Sequence, residues 1–151
     1  NILVARAFNS DHQILLLEKV GELIKSGEPI KLVIIDSLTA HFRAEFAGRG
    51  QLADRQQKLN RYMHDLMKLA ETHNLAVYVT NQVMANPAQM FGDPTTAIGG
   101  HIVGHASTYR MYLRRGKQGS RVAKLIDSPN LPDNEAIFFV TEAGVTDEGK
   151  E

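Results

Sequence analysis

The chain has 151 residues, 43% of them hydrophobic and 23% charged, a balance that suits one globular domain with a sizeable core. Its 17 basic and 17 acidic residues cancel, which argues against a generally cationic nucleic-acid binder. Cysteine is absent, so disulfides and cysteine-based zinc sites are excluded, in keeping with a reducing cytosol. No apolar run approaches the ~20 residues of a membrane span, and no charged-then-apolar signal segment opens the chain. Starting directly on Asn1-Ile2-Leu3-Val4 suggests a piece of a longer protein.

Ile2 to Ala7 reads as a short strand. Asn9 to Gln13 reads as a helix start, with Ser10 and Gln13 spaced as a capping box. That helix is predicted to run to about Lys25, with Ile14, Leu16, Leu17, Val20, Leu23 and Ile24 on one broad face. Ser26-Gly27-Glu28-Pro29 ends it. Ile30 to Ile35 is a near-continuous apolar strand, the pattern of a strand buried on both faces of a parallel sheet. Leu38 to Gly50 is irregular. A long helix follows from about Gln51 to Thr72, with Leu52, Leu59, Met63, Leu66, Met67 and Ala70 as its buried stripe. A third apolar strand runs from Leu75 to Thr80.

The order strand, helix, strand, helix, strand predicts an α/β fold with a mostly parallel sheet. The last third differs. Tyr109 to Arg114, Arg121 to Ile126 and Ala136 to Thr141 read as strands, the first two joined by Gly116-Lys117-Gln118-Gly119. Such short turns imply antiparallel additions at one edge.

Ligands of open α/β sheets bind beyond the carboxyl ends of the strands, where Asp36 and Gln82 fall. An acid there can hold a Mg²⁺-bound water beside a triphosphate, or merely cap a turn. The Gln82 amide both donates and accepts, so it can orient water or contact a γ-phosphate, or bond the nearby backbone. The segment from Val83 to Gly100, closing on Gly99-Gly100-His101, is long for a loop without secondary structure; such loops tend to be functional or disordered. Its Met84, Met90 and Phe91 can wedge between bases or pack the loop down. His101 and His105 share a helical spacing but lack carboxylates at metal spacing. Gly48-Arg49-Gly50 offers a guanidinium to a polyanion, or makes a simple turn. From Pro94 to Ile126 there is no acid but six bases, a local patch able to hold phosphates or a solvated hairpin; seven acids and one base follow from Asp127. Asp127-Ser128-Pro129-Asn130-Leu131-Pro132 makes a rigid turn that caps a ligand, fixes a subunit contact or does neither.

Together these residues resemble the RecA-like recombinases, in their archaeal RadA and eukaryotic branch. The matching pieces are Ala5 to Gln13, Leu32 to Ser37, Gly48-Arg49-Gly50 with Arg55 to Leu59, Val79 to Val83, Gly99-Gly100-His101 with His105-Ala106-Ser107, Tyr112 to Lys117, and Asp127-Ser128-Pro129. They fall in family order across nearly the whole chain. The resemblance implies a RecA-like core, a mostly parallel sheet flanked by helices with antiparallel strands at the C-terminal edge, covered in part by residues 1–151 as a single partial domain.

It also implies roles. Asp36, with Ser37 beside it, looks like the acid that acts through Mg²⁺-bound water. Gln82 looks like the link between the γ-phosphate of ATP and a second DNA-binding loop from Val83 to Gly100, with Met84, Phe91, Gly99 and Gly100 in it. Arg49 and Arg55 lie in and after the first DNA-binding loop. His105 looks like a residue that reaches the γ-phosphate across a subunit interface. Asp127 and Pro132 look like parts of a cap over a neighbour's ATP, with Asp127 a monovalent-cation (K⁺) ligand.

The implied whole is an ATP-dependent strand-exchange recombinase in homologous recombination and repair, acting in the cytoplasm on the nucleoid. Its partners would be single- and double-stranded DNA, copies of itself in filaments or rings, and mediator proteins held through a Phe-x-x-Ala-type pocket near Ala5, Ala7 and the first helix. No Gly-x-x-x-x-Gly-Lys-Ser/Thr phosphate loop occurs in the 151 residues, so this stretch alone is expected to be a poor ATPase. The alternatives are an interaction module presenting that pocket, or a RecA-like regulatory paralogue or helicase.

Overall fold

A computed structural model describes residues 2–85, 95–97 and 100–148, with side chains at 49, 84–85, 95–97 and 100–102 excepted. The chain divides into two compact units, Asn1–Ala106 and Ser107–Glu151.

In the first unit, helix α1 spans Ser10–Lys25. Its cap is Asn9, not Ser10: the Asn9 side chain accepts the His12 N–H at 2.7 Å. Ser10 is instead fully buried and bonded to Glu45, so the expected capping box does not form. Asp11 in the first turn and Lys25 in the last complement the helix dipole. Gly27, at φ +102°, takes the left-handed conformation that turns the chain away. The strand expected at Ile2 to Ala7 is absent: no described strand pairs with it, and Ile2, Leu3 and Val4 are exposed.

Strand β1 (Leu32–Ile35) pairs in parallel with β2 (Ala76–Val79), in the register Leu32↔Ala76 to Ile35↔Val79. Among the described residues, burial on both faces does not hold. Ile35, Val77 and Val79 pack on the core, but Ile34 on the opposite face is 61% exposed. Continuous hydrophobicity shows that both faces need covering; it cannot say that one chain covers both.

Between these strands the irregular stretch contains structure. Helix α2 spans Ala40–Glu45, and a 3₁₀ turn covers Arg49–Gln51. Helix α3 spans Leu52–His73 and stops at Asn74, which takes a left-handed conformation and returns its N–H to the Ala70 carbonyl. Leu59, Tyr62, Met63 and Leu66 form its buried stripe. Leu52 and Met67, expected there, are 50% and 42% exposed. Met67 is one residue, or ~100° of helix, off the stripe, and Leu52 is the first helical residue. Tyr62 takes the missing place against Phe42, with ring centroids 5.8 Å apart.

The core is Leu17, Leu38, Phe42, Leu59, Tyr62, Met63, Leu66 and Val103. It joins α1, α2, α3 and helix α4 (Gly100–Ala106). The segment from Val83 to Gly100 is not wholly without structure: β3 (Val83–Ala85) pairs antiparallel with β4 (Thr95–Ala97), and Gly100 starts α4.

The second unit is an antiparallel sheet in the order β5 (Arg110–Arg115), β6 (Arg121–Asp127), β7 (Asn134–Thr141) and β8 (Gly144–Thr146). The β5–β6 turn closes with the Gly116 N–H on the Ser120 carbonyl at 2.9 Å. Positive φ at Gln118 and Gly119 makes that tight reversal. The sequence pointed to three of these strands; β8 is too short and polar at its flanks to announce itself.

Candidate functional site

The parallel pairing of β1 and β2 brings Asp36, Ser37 and Gln82 to one end of the sheet. Main-chain bonds fix this end. Thr80 N–H reaches the Ile35 carbonyl at 3.0 Å, and Leu38 N–H reaches the Thr80 carbonyl at 2.8 Å. The Asp36–Ser37 peptide bond is cis.

Three side-chain links cross from one strand end to the other. Thr80 Oγ1 donates to Asp36 Oδ1 at 2.6 Å. Thr39 Oγ1 donates to Asn81 Oδ1 at 2.7 Å, and that oxygen also accepts the Gln82 N–H at 3.0 Å. Arg43 donates to Gln82 Oε1 at 3.1 Å. Thr39 stands at the N-cap of α2 but makes no capping bond there. Its hydroxyl, buried with the core, is spent on Asn81 instead.

Asp36 is exposed, and Ser37 Oγ is buried without a hydrogen-bond partner among the described groups. A buried hydroxyl without a partner is uncommon in folded proteins, and this one follows an exposed strand-end acid. No group of three or more His, Cys, Asp or Glu side chains able to hold a metal occurs among the described residues.

The sequence motifs leave out Thr39 and Arg43, and Thr80 and Asn81 fall in the Val79 to Val83 piece without a role of their own. The signal was faint but present: Thr80-Asn81-Gln82 is an abrupt polar run directly after an apolar strand, and Thr39 follows Asp36 by three residues.

Other expected residues lie apart. Arg49 is in the 3₁₀ turn, its side chain outside the described set; Arg55 is half-buried at the start of α3. Val83 opens β3 and is partly exposed; Met84 follows it, its side chain not described. Phe91 and Gly99 lie outside the described residues, and Gly100 contributes the first residue of α4. His105 is exposed in the last turn of that helix.

In the second unit Asp127 ends β6 and is held by Arg110, whose Nε and Nη2 both reach Oδ2, at 3.0 and 2.8 Å. The Ser128 hydroxyl accepts the Leu131 N–H at 3.0 Å and shapes the turn before Pro132, which is exposed.

Among the described residues, two groups away from this end have shifted proton affinity. Burial pushes Tyr62 up to about 12, with the Gln13 side chain pulling slightly the other way. Lys19 holds the carboxyl of Glu22 below its ordinary value through a hydrogen bond and its charge.

The family model for Rad51 matches residues 1–148. The chain belongs to the Rad51 family. Its relatives include proteins called "DNA repair and recombination protein RadA". The one from Methanocorpusculum labreanum is 62% identical over 96% of this chain and 45% of its own length. That of Haloquadratum walsbyi is 57% identical over 98% of this chain and 44% of its own length. That of Methanoculleus marisnigri is 61% identical over 95% of this chain and 46% of its own length. The chain thus spans less than half the length of the curated relatives it matches. The resemblance to RecA-like recombinases holds. The RecA-like α/β reading holds with it: parallel strands flanked by helices, and an antiparallel sheet in the C-terminal third.

Proposed function

We propose that this Rad51-family chain is part of the ATPase core of a DNA strand-exchange recombinase, one that forms filaments on single-stranded DNA in homologous recombination and repair. The observation that carries this reading is the cross-linked strand end. Asp36, at the end of β1, is bonded to Thr80, and Gln82, two residues on, is bonded to Arg43 of α2. A nucleotide-facing acid and the entrance to the segment 83–100 are thereby tied into one hydrogen-bonded unit.

In this reading ATP with Mg²⁺ supplies a γ-phosphate to be sensed and cleaved. Asp36 fits a magnesium ion that keeps most of its waters, since such ions take one or two carboxylates rather than a full protein cage. Thr80 fixes the orientation of the carboxylate by holding one oxygen. The Ser37 hydroxyl, buried and without a partner among the described groups, would be a second candidate contact. Gln82 would exchange its Arg43 bond for a phosphate oxygen and so report nucleotide state to the residues that follow.

Arg49, Arg55 and the segment from Val83 through Met84, Phe91 and Gly99 to Gly100 are the proposed DNA contacts. Binding through phosphates makes the grip sequence-neutral and salt-dependent. His105, Asp127 and Pro132 are proposed to serve ATP held by an adjacent subunit. A K⁺ ion at Asp127 would use the oxygen opposite Oδ2, which Arg110 occupies. Both compact units are taken as parts of one RecA-like core, working in the cytoplasm on the nucleoid. No described helix is long and apolar enough to cross a membrane. Docking of mediator proteins near Ala5 and Ala7 rests on the sequence resemblance alone.

The test is ATP turnover with and without single-stranded DNA. The full-length protein carrying this sequence is expected to show DNA-stimulated turnover and strand exchange. Residues 1–151 alone, which contain no phosphate-loop motif, are expected to show neither. Robust DNA-stimulated turnover by the 151-residue stretch would contradict this account of the site.

A further inference from the structure

The described structure contains a second polar cluster, away from the strand ends. Ser10, at the start of α1, is fully buried. Its N–H donates to Glu45 Oε1 at 2.6 Å, and its hydroxyl makes a short bond to the other oxygen of the same carboxylate. Lys58 Nζ donates to that hydroxyl at 2.6 Å. The same ammonium lies 2.8 Å from Asp11 Oδ1, 3.9 Å from Glu45 Oε2 and 5.4 Å from the centre of the Phe46 ring.

The Ser10 hydroxyl has one proton and two lone pairs, so it can serve both partners at once. Glu45 is the last residue of α2, and Lys58 lies in the second turn of α3. The twelve residues from Phe46 to Gln57 are therefore pinned at both ends to a single buried serine. That stretch contains Arg49 and Arg55. The Lys58 side chain is 23% exposed and that of Glu45 32%, so this pair is less screened than an ordinary surface pair, whereas Asp11 is largely in water.

We infer that Ser10, Glu45 and Lys58 form a staple that pre-orders the Phe46–Gln57 segment for DNA, so that Lys58 is a positioning residue rather than a DNA ligand. This rests on the recombinase reading above. The staple holds the two ends of the segment at a fixed separation before DNA arrives. Cutting it leaves the arginines in place but makes DNA binding bear the cost of ordering them. Fixing even one backbone residue weighs roughly tenfold in an equilibrium constant.

The experiment measures single-stranded DNA binding by fluorescence anisotropy over a salt series, on the full-length protein with ATP. Variants are Lys58→Met, Glu45→Gln and, as the comparison, Arg49→Ala, each checked by thermal unfolding. Lys58→Met and Glu45→Gln are expected to lower affinity by about tenfold at fixed salt, with the wild-type slope of log K against log salt. Arg49→Ala is expected to lower the slope itself by about 0.7, the signature of one lost phosphate contact. If Lys58→Met unfolds, Lys58→Arg keeps the charge and is expected to keep near-normal affinity. A folded Lys58→Met or Glu45→Gln with wild-type affinity overturns the staple. So does a slope in Lys58→Met that falls as far as in Arg49→Ala, because Lys58 would then touch phosphate directly. A wild-type protein that binds no single-stranded DNA at any salt overturns both the staple and the reading beneath it.

Discussion

Thr80 and Asp36 stand at the ends of adjacent parallel strands, and the Thr80 hydroxyl donates to one carboxylate oxygen of Asp36 at 2.6 Å. The bond leaves the acid exposed but no longer free to turn. In the proposed role, a carboxylate facing a metal-bound water would gain from such a restraint.

Thr80→Val keeps the shape and removes the donor. The lost bond is worth ~1–3 kcal/mol at most, since the acceptor is charged but exposed to water. The expected outcome is a small shift in thermal unfolding together with a clear fall in DNA-stimulated ATP turnover by the full-length protein. Equal turnover in the variant would remove Thr80 from the account.

Thr39 and Asn81 make a more protected link. Thr39 is buried, so Thr39→Val removes one of the two hydrogen bonds the Asn81 oxygen accepts, at a cost of ~0.5–1.5 kcal/mol. Urea unfolding is expected to show a lower midpoint with an unchanged slope. Because the same oxygen accepts the Gln82 N–H, the variant is also expected to weaken single-stranded DNA binding.

Much of this arrangement was legible in the sequence, and the reasons for the gaps are local. The apolar runs before Asp36 and before Gln82 announced both strands, and a parallel pairing puts both residues at one end. The long helix was evident from Leu59, Met63 and Leu66 at helical spacing. Tyr62 gives no such signal, because a tyrosine on a helix full of charges reads as surface. Ser10 was assigned the wrong bond. A serine followed by glutamine three residues later looks like a capping box, but Asn9 caps as well as serine does, and the buried Ser10 is claimed by Glu45, 35 residues away. Arg43 and Asn81 gain their meaning only from contacts across the sheet, which no local pattern contains.

Phe42 has no exposed surface and packs against Tyr62 at the centre of the first unit. Phe42→Ala is expected to destabilise by about 3–5 kcal/mol through lost burial and the cavity left behind. Chemical denaturation of the full-length protein would register it as a large fall in midpoint. A loss below ~1 kcal/mol would mean that the core is not centred there.

Tyr62 gives the fold an alkaline limit. Its folded value is pushed up to about 12 from an ordinary value near 10. The folded state therefore holds the phenolic proton more tightly than the unfolded chain. The resulting stability is fully present below pH ~10 and is lost as pH rises from there through ~12. Tyr62→Phe, which has no proton to lose, is expected to show a shallower decline over that window. Parallel declines in the two proteins would assign the alkaline sensitivity elsewhere.

If Gln82 joins nucleotide state to the grip on DNA, the affinity for DNA must depend on the nucleotide through this one side chain. Single-stranded DNA binding by the full-length protein is measured with ATP and with ADP, for the wild type and for Gln82→Ala, with nucleotide binding checked in parallel. Wild-type affinity is expected to be higher with ATP, and Gln82→Ala is expected still to bind ATP but to have the same DNA affinity in both nucleotides. A Gln82→Ala protein that keeps the full difference between ATP and ADP would contradict that role.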